Sequence, residues 1–122
     1  MMCQVGSQHS LHVVTKLTKN LLSATIPLQI GNLHSLQYVD LSHNLLRGEL
    51  PSELGNLQNL ETLYLSHNNL SSSIPSTFNK MLSLTSIDIS YNRLEGPIAN
   101  IKAFTTATLG NNKGLPCTRK EE

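Results

Sequence analysis

The chain has no tryptophan, two phenylalanines and three tyrosines among its 122 residues. A core built around large rings is therefore excluded, and packing must come from aliphatic side chains. Charge is also scarce, with Asp, Glu, Lys and Arg at 14% and a formal net charge of +1. So even a balance gives no electrostatic footprint for nucleic acid or an acidic surface. Ser and Asn are left to do the polar work. The two cysteines, Cys3 and Cys117, stand near opposite ends without a C-x-x-C or Cys/His cluster, which leaves a zinc or redox motif unsupported and free thiols expected. No run approaches the roughly 18 apolar residues of a membrane span, and the first residues hold no apolar core of a signal peptide. Direct membrane insertion by this chain is not expected. The seven glycines nowhere form G-x-G-x-x-G, and H-R-D, D-F-G, G-x-S-x-G and H-E-x-x-H are all missing. The expectation is a chain that is not an enzyme, with no catalytic, cofactor or metal site.

What the sequence does contain is a repeat. Asn20, Asn44, Asn68 and Asn92 fall at one fixed step, since 44−20, 68−44 and 92−68 all give 24. Around each the same frame returns. One unit reads Leu36, Val39, Leu41, Asn44, Leu46, Gly48, Leu50-Pro51, Leu54-Gly55 and Leu57. The next reads Leu60, Leu63, Leu65, Asn68, Leu70, Ser72, Ile74-Pro75, Phe78 and Met81, and a third follows with Leu84, Ile87, Ile89, Asn92, Leu94, Gly96 and Ile98. Upstream, Leu17, Asn20, Leu22, Ile26-Pro27, Ile30 and Leu33 make a fourth unit with a weaker start.

Each position has a physical job. Val39/Leu41, Leu63/Leu65 and Ile87/Ile89 alternate with polar residues, the period of a half-buried strand. One such strand cannot bury its face alone, so the copies must stack into a parallel sheet. The Asn after each strand enters a tight bend, where its amide can satisfy buried backbone groups; repeated, these amides form a ladder. Gly48 and Gly96 permit backbone geometry that other residues resist, and Pro51 and Pro75 stop helix propagation. The expected fold is a right-handed α/β repeat solenoid of about four 24-residue coils. A parallel β-sheet lines its concave face, with 3₁₀ or short helical turns and loops on the convex face. The expected organisation is an irregular tail over 1–11, repeats over 12–104 (units near 12–35, 36–59, 60–83 and 84–104), and a C-terminal cap and tail over 105–122.

The frame LxxLxLxxNxLxGxIPxxLGNLxxL resembles the plant class of leucine-rich repeats, found in receptor-like kinases, receptor-like proteins and polygalacturonase-inhibiting proteins. The stretches Ser90–Ile98, Asn100-Ile101-Lys102-Ala103-Phe104 and Gly110–Cys117 resemble the end of a receptor-like kinase ectodomain, most similarly that of the male-discoverer-interacting group. Ala99 replaces that family's usual Pro, and Leu115-Pro116-Cys117 stands where Leu-Cys-Gly is expected. The resemblance implies a module of signal perception on the extracellular side of the plasma membrane, its kinase lying in a domain outside this chain. It also implies a concave face that binds a peptide or protein ligand, or a co-receptor ectodomain. Two other readings stand beside it: a secreted, polygalacturonase-inhibitor-like defence protein, and a truncated receptor remnant without function.

Four columns should face solvent on the concave side: Val14, Tyr38, Thr62 and Ser86; Lys16, Asp40, Tyr64 and Asp88; Thr18, Ser42, Ser66 and Ser90; and Lys19, His43, His67 and Tyr91. The expected partner-binding set is Tyr38, Asp40, His43, Thr62, Tyr64, His67, Ser86, Asp88 and Tyr91. Tyr supplies amphipathic contact area and Asp a counter-charge for a basic group; the bland alternative is an ordinary solvated sheet face. His43 and His67 fall side by side, with no third ligand for a metal and His34 on the connecting side. Asn69-Leu70-Ser71 is a glycosylation sequon.

Overall fold

The computed structural model describes the backbone of residues 14–16 and, in full, residues 24–97 and 110–112. Expectations placed on Cys3, Cys117, Thr18, Lys19, Asn20, the tail over 1–11 and most of 105–122 lie outside the described residues. Those residues form, in chain order, β1 (Val14–Lys16), β2 (Tyr38–Asp40), β3 (Arg47–Glu49), β4 (Thr62–Tyr64), β5 (Asn69–Ser73), β6 (Ser86–Asp88) and β7 (Arg93–Glu95).

Two parallel sheets result. The first runs β1-β2-β4-β6, with Tyr38, Thr62 and Ser86 in register and Val39, Leu63 and Ile87 beside them. Its register advances by the full repeat, as 62−38 and 86−62 both give 24. Val39, Leu63 and Ile87 point inward and are buried, as are Leu65 and Ile89 two residues on. Each fully buried side chain of this size contributes roughly 1.5–3 kcal/mol of transfer free energy. Among the described residues, the interior they share with Leu36, Leu60 and Leu84 is almost wholly aliphatic, with Phe78 its one ring.

The second sheet, β3-β5-β7, is the feature the repeat frame did not announce. The stretch after each ladder Asn pairs with its counterpart in the next coil. Its register lags the repeat, because Arg47 pairs with Asn69 and Ser71 with Arg93, an offset of 22 in both cases. Thr25 bridges to Arg47 in the same sense, extending this edge into the first coil. Left-handed backbone recurs here once per coil: Gly48 has φ +85° and Gly96 φ +88°, while the matching position in the middle coil is Ser72 at φ 68°.

Each coil closes through a 3₁₀ turn: Leu28–Asn32, Ser52–Asn56 and Ser76–Lys80. The turns begin directly after Pro27, Pro51 and Pro75, whose φ of −72°, −69° and −62° and extended ψ hold the chain out of the helical region until that point. They end where the N–H of Leu33, Leu57 and Met81 donates to the carbonyl of Ile30, Leu54 and Phe78. These turns stack on one another. A Cβ at Gly31 would lie 2.6 Å from the Glu53 carbonyl oxygen, and one at Gly55 would lie 2.6 Å from both the carbonyl oxygen and Cβ of Thr77. Glycine is required at both places because neighbouring backbone occupies the side-chain position. Thr77 Oγ1 donates to the Ser52 carbonyl at 2.7 Å and Asn59 Nδ2 to that of His34 at 3.0 Å, tying the same face together.

Candidate functional site

The sheet that faces away from the core is a polar strip whose chemistry is set by the bends beneath it. At each bend a strand ends and its Asn turns inward. Asn68 Nδ2 donates to the carbonyls of Leu41 and Leu65 at 3.0 Å and of Ser66 at 3.2 Å, while its Oδ1 accepts the Leu46 N–H at 3.0 Å. Asn92 repeats the pattern one coil later, donating to Leu65, Ile89 and Ser90 and accepting from Leu70. Asn44 donates to Leu41 and Ser42. One amide thus joins two coils and supplies partners for backbone groups cut off from water.

A further rung was not expected. Asn112 donates to the Ile89 carbonyl at 2.9 Å and accepts the Leu94 N–H at 2.9 Å, and the Tyr91 N–H donates to Gly110 at 3.0 Å. Asn112 therefore stands to Asn92 as Asn92 stands to Asn68, but after 112−92, or 20, residues. The shortened step takes it out of the 24-residue frame. The local signal was present all the same: Leu109-x-x-Asn112 copies Leu41-x-x-Asn44.

Above the ladder lie the concave columns. Tyr38, Thr62, Tyr64, Ser86 and Asp88 are half-buried and shared among β2, β4 and β6. Tyr38 and Tyr64 meet edge to face, with centroids 5.9 Å apart and planes at 75°, and the Tyr64 hydroxyl pairs with Ser86 Oγ at 3.0 Å. Burial raises the Tyr38 pKa above its ordinary 10.0, and the Asp40 carboxylate and Tyr64 push the same way.

Asp40 sits deeper than an open contact would, with 7% exposure. Ser42 donates its N–H at 3.1 Å and its hydroxyl at 2.7 Å to Asp40 Oδ1, and Ser90 does the same to Asp88 Oδ1 at 3.1 and 2.6 Å. These Asp-x-Ser turns fix both carboxylates through one oxygen each. Ser42, Ser66 and Ser90 are themselves buried, so the third column belongs more to the bends than to the face.

Along one border of the strip runs a ladder of rings. His43 stacks on His67 at 4.1 Å and 12°, and His67 stacks on Tyr91 at 4.2 Å and 11°. All three have left-handed backbone, with φ of 59°, 58° and 58°. That conformation costs an L-residue roughly 1–2 kcal/mol, and each stacked pair returns about 0.5–1.5 kcal/mol. The three rings are exposed, Tyr91 by 49%. No group of three or more His, Cys, Asp or Glu able to hold a metal occurs among the described residues. Nor is any helix among them long and apolar enough to cross a membrane.

A groove of about 890 Å³ is on a different side, between the second sheet and the 3₁₀ turns, and Glu49, Glu53, Glu95, Ser72 and Leu28 border it. It is open, and none of the expected contact residues lines it.

A first sheet paired at a 24-residue step, a second parallel sheet beside it, an internal Asn ladder and stacked 3₁₀ turns together define a repeat family. The sequence matches the family model described as leucine rich repeat over residues 14–70 and again over 48–94. The chain belongs to the leucine-rich repeat family. No curated protein sequence matches it. Among solved structures, this leucine-rich repeat chain resembles a chain of the BIR3–SERK2 complex from Arabidopsis thaliana, with 35% identity and a TM-score of 0.79. That match covers 85% of this chain and 58% of the other. It also resembles PEPR1 in the PEPR1–AtPEP1 structure, with 40% identity, a TM-score of 0.70 and coverage of 71% and 12%. A third likeness is the Arabidopsis receptor kinase HAESA, solved with the peptide hormone IDA and the co-receptor SERK1: 35% identity, TM-score 0.70, coverage 76% and 16%. The chain thus spans little more than half of the first relative and under a fifth of the other two. Its solved likenesses are ectodomains of plant receptor kinases.

Proposed function

We propose that this leucine-rich repeat chain is a binding module on the extracellular side of the plasma membrane, and that its concave face engages a peptide or a partner ectodomain in signal perception. The observation that carries this reading is the strip across β2, β4 and β6. There an edge-to-face tyrosine pair lies between two hydrogen-bonded carboxylates, bordered by an exposed ladder of three rings. Tyr38, Tyr64 and Tyr91 bring large contact area at low entropy cost. Thr62 and Ser86 are small enough to let a ligand backbone approach, Asp40 and Asp88 accept from donors, and His43 and His67 extend the border. The solved likenesses support the reading, since PEPR1 was solved with AtPEP1, HAESA with the peptide hormone IDA and the co-receptor SERK1, and BIR3 with SERK2.

Site-directed photocrosslinking tests it. A benzophenone side chain placed at Thr62 or Ser86 should capture a ligand from plant extracellular fluid, or a purified SERK-type ectodomain. The same group at Gln58 or Lys80 on the convex side should capture neither. Equal capture from both sides, or capture from the convex side alone, would sink the proposal.

A further inference from the structure

We infer that Asn69 is an N-glycosylation site that carries an oligosaccharide on the flank of the solenoid, leaving the concave face open; the inference rests on the extracellular placement in the reading above. The sequon Asn69-Leu70-Ser71 opens β5. Strand alternation separates its members: Leu70 points into the core and is fully buried, while Asn69 is exposed. Unlike its neighbour Asn68, Asn69 is not a ladder residue. Its backbone N–H goes to the Leu46 carbonyl at 2.7 Å, and its side chain takes part through Oδ1 alone, accepting from Arg93 Nη1 at 3.3 Å on the surface. The Nδ2 nitrogen donates to nothing among the described residues. A glycan there needs no native hydrogen bond to be given up, because the amide oxygen that holds Arg93 is retained.

The transfer is a substitution at sugar carbon. Asn69 Nδ2 forms a bond to C1 of an oligosaccharide borne on a lipid pyrophosphate, the C1–O bond to that pyrophosphate breaks, and the amide loses one proton as the lipid pyrophosphate leaves. Placement gives the modification a consequence. Asn69 pairs in register with Arg47 on β3, in the second sheet, whereas the candidate contact residues lie on the first sheet and its bordering rings. Leu45, one coil earlier at the same repeat position, is 53% exposed. A sugar on Asn69 stands on that side, next to Arg47, and leaves the tyrosine strip to the partner.

The test uses the full chain, secreted from plant or insect cells behind a vector-supplied leader, with intact mass and glycopeptide mapping as readouts. The expected result is a heavier glycoform that N-glycosidase converts to a chain with Asp at position 69. Ser71→Ala and Asn69→Gln should abolish it, and Ser71→Thr should retain it. Gln58→Thr is the control, since it creates a second sequon at exposed Asn56 and reports that the chain met the transferase. Bare Asn69 alongside a modified Asn56 overturns the inference, whereas the proposed binding face would stand or fall by its own crosslinks.

Discussion

At the scale of the residue, the molecule is decided by a few side chains placed in backbone that suits them poorly or well. Ser72 holds φ 68° where the coils on either side have Gly48 and Gly96. Left-handed backbone costs Ser roughly 1–2 kcal/mol, against about 0.5–1 kcal/mol that glycine loses through its freer unfolded chain. Ser72→Gly should therefore raise the stability to urea unfolding by about 0.5–1 kcal/mol; an unchanged or lower midpoint would show that Ser72 is not strained. Tyr38 gives a pH signature. Its pKa is raised in the folded state, so its stabilising contribution is complete below the unfolded value of 10.0 and is lost as pH rises through the folded value. Urea midpoints should fall as pH rises above about 10, and Tyr38→Phe should reduce that slope.

Elements show where the repeat frame speaks and where it is silent. The first sheet was legible, because Val39, Leu63 and Ile87 alternate with Tyr38, Thr62 and Ser86 at a constant step, and burial forces period two onto the sequence. Gly55 was legible as part of a turn but not as a contact: nothing local in Leu54-Gly55-Asn56 says that Thr77 will press on it. Gly55→Ala should separate the stacked turns and cost about 1–3 kcal/mol, while Asn79→Ala, an exposed change at the matching place one coil on, should be near neutral. Equal stability of the two variants would refute the close packing. The second sheet is not marked in the sequence because Arg47-Gly48-Glu49 and Arg93-Leu94-Glu95 lack the β-branched and aromatic composition of a strand. Their pairing follows from the first sheet having already aligned the coils. The candidate site was legible by column but not by depth. Alternation put Asp40 and Asp88 on the face, whereas the turns made by Ser42 and Ser90 set how far each carboxylate reaches. The stacking of His67 on Tyr91 depends on a left-handed bend that the column alone does not reveal.

For the molecule as a whole, stability is a sum over neighbouring coils, and each ladder Asn belongs to two of them. Asn112 is the last described rung, and its loss should be felt locally. In Asn112→Ala, hydrogen exchange at the Leu94 and Tyr91 amides should speed up, while the amides of Leu41 and His43, two coils away, stay protected. Uniform acceleration would mean that the coils unfold as one unit. The close approach at Gly31 and Gly55 acts at the same scale. Strand pairing fixes the step on the inner side at about 4.8 Å, and the step on the outer side depends on how near the turns can come. By letting backbone meet backbone, these two glycines bring the outer step close to the inner one, which lengthens the radius of curvature. A bulkier residue at either position would splay the outer side and bend the arc more sharply. Two hydrogen atoms on the side opposite the candidate site thus set how broad a partner the inner face can span.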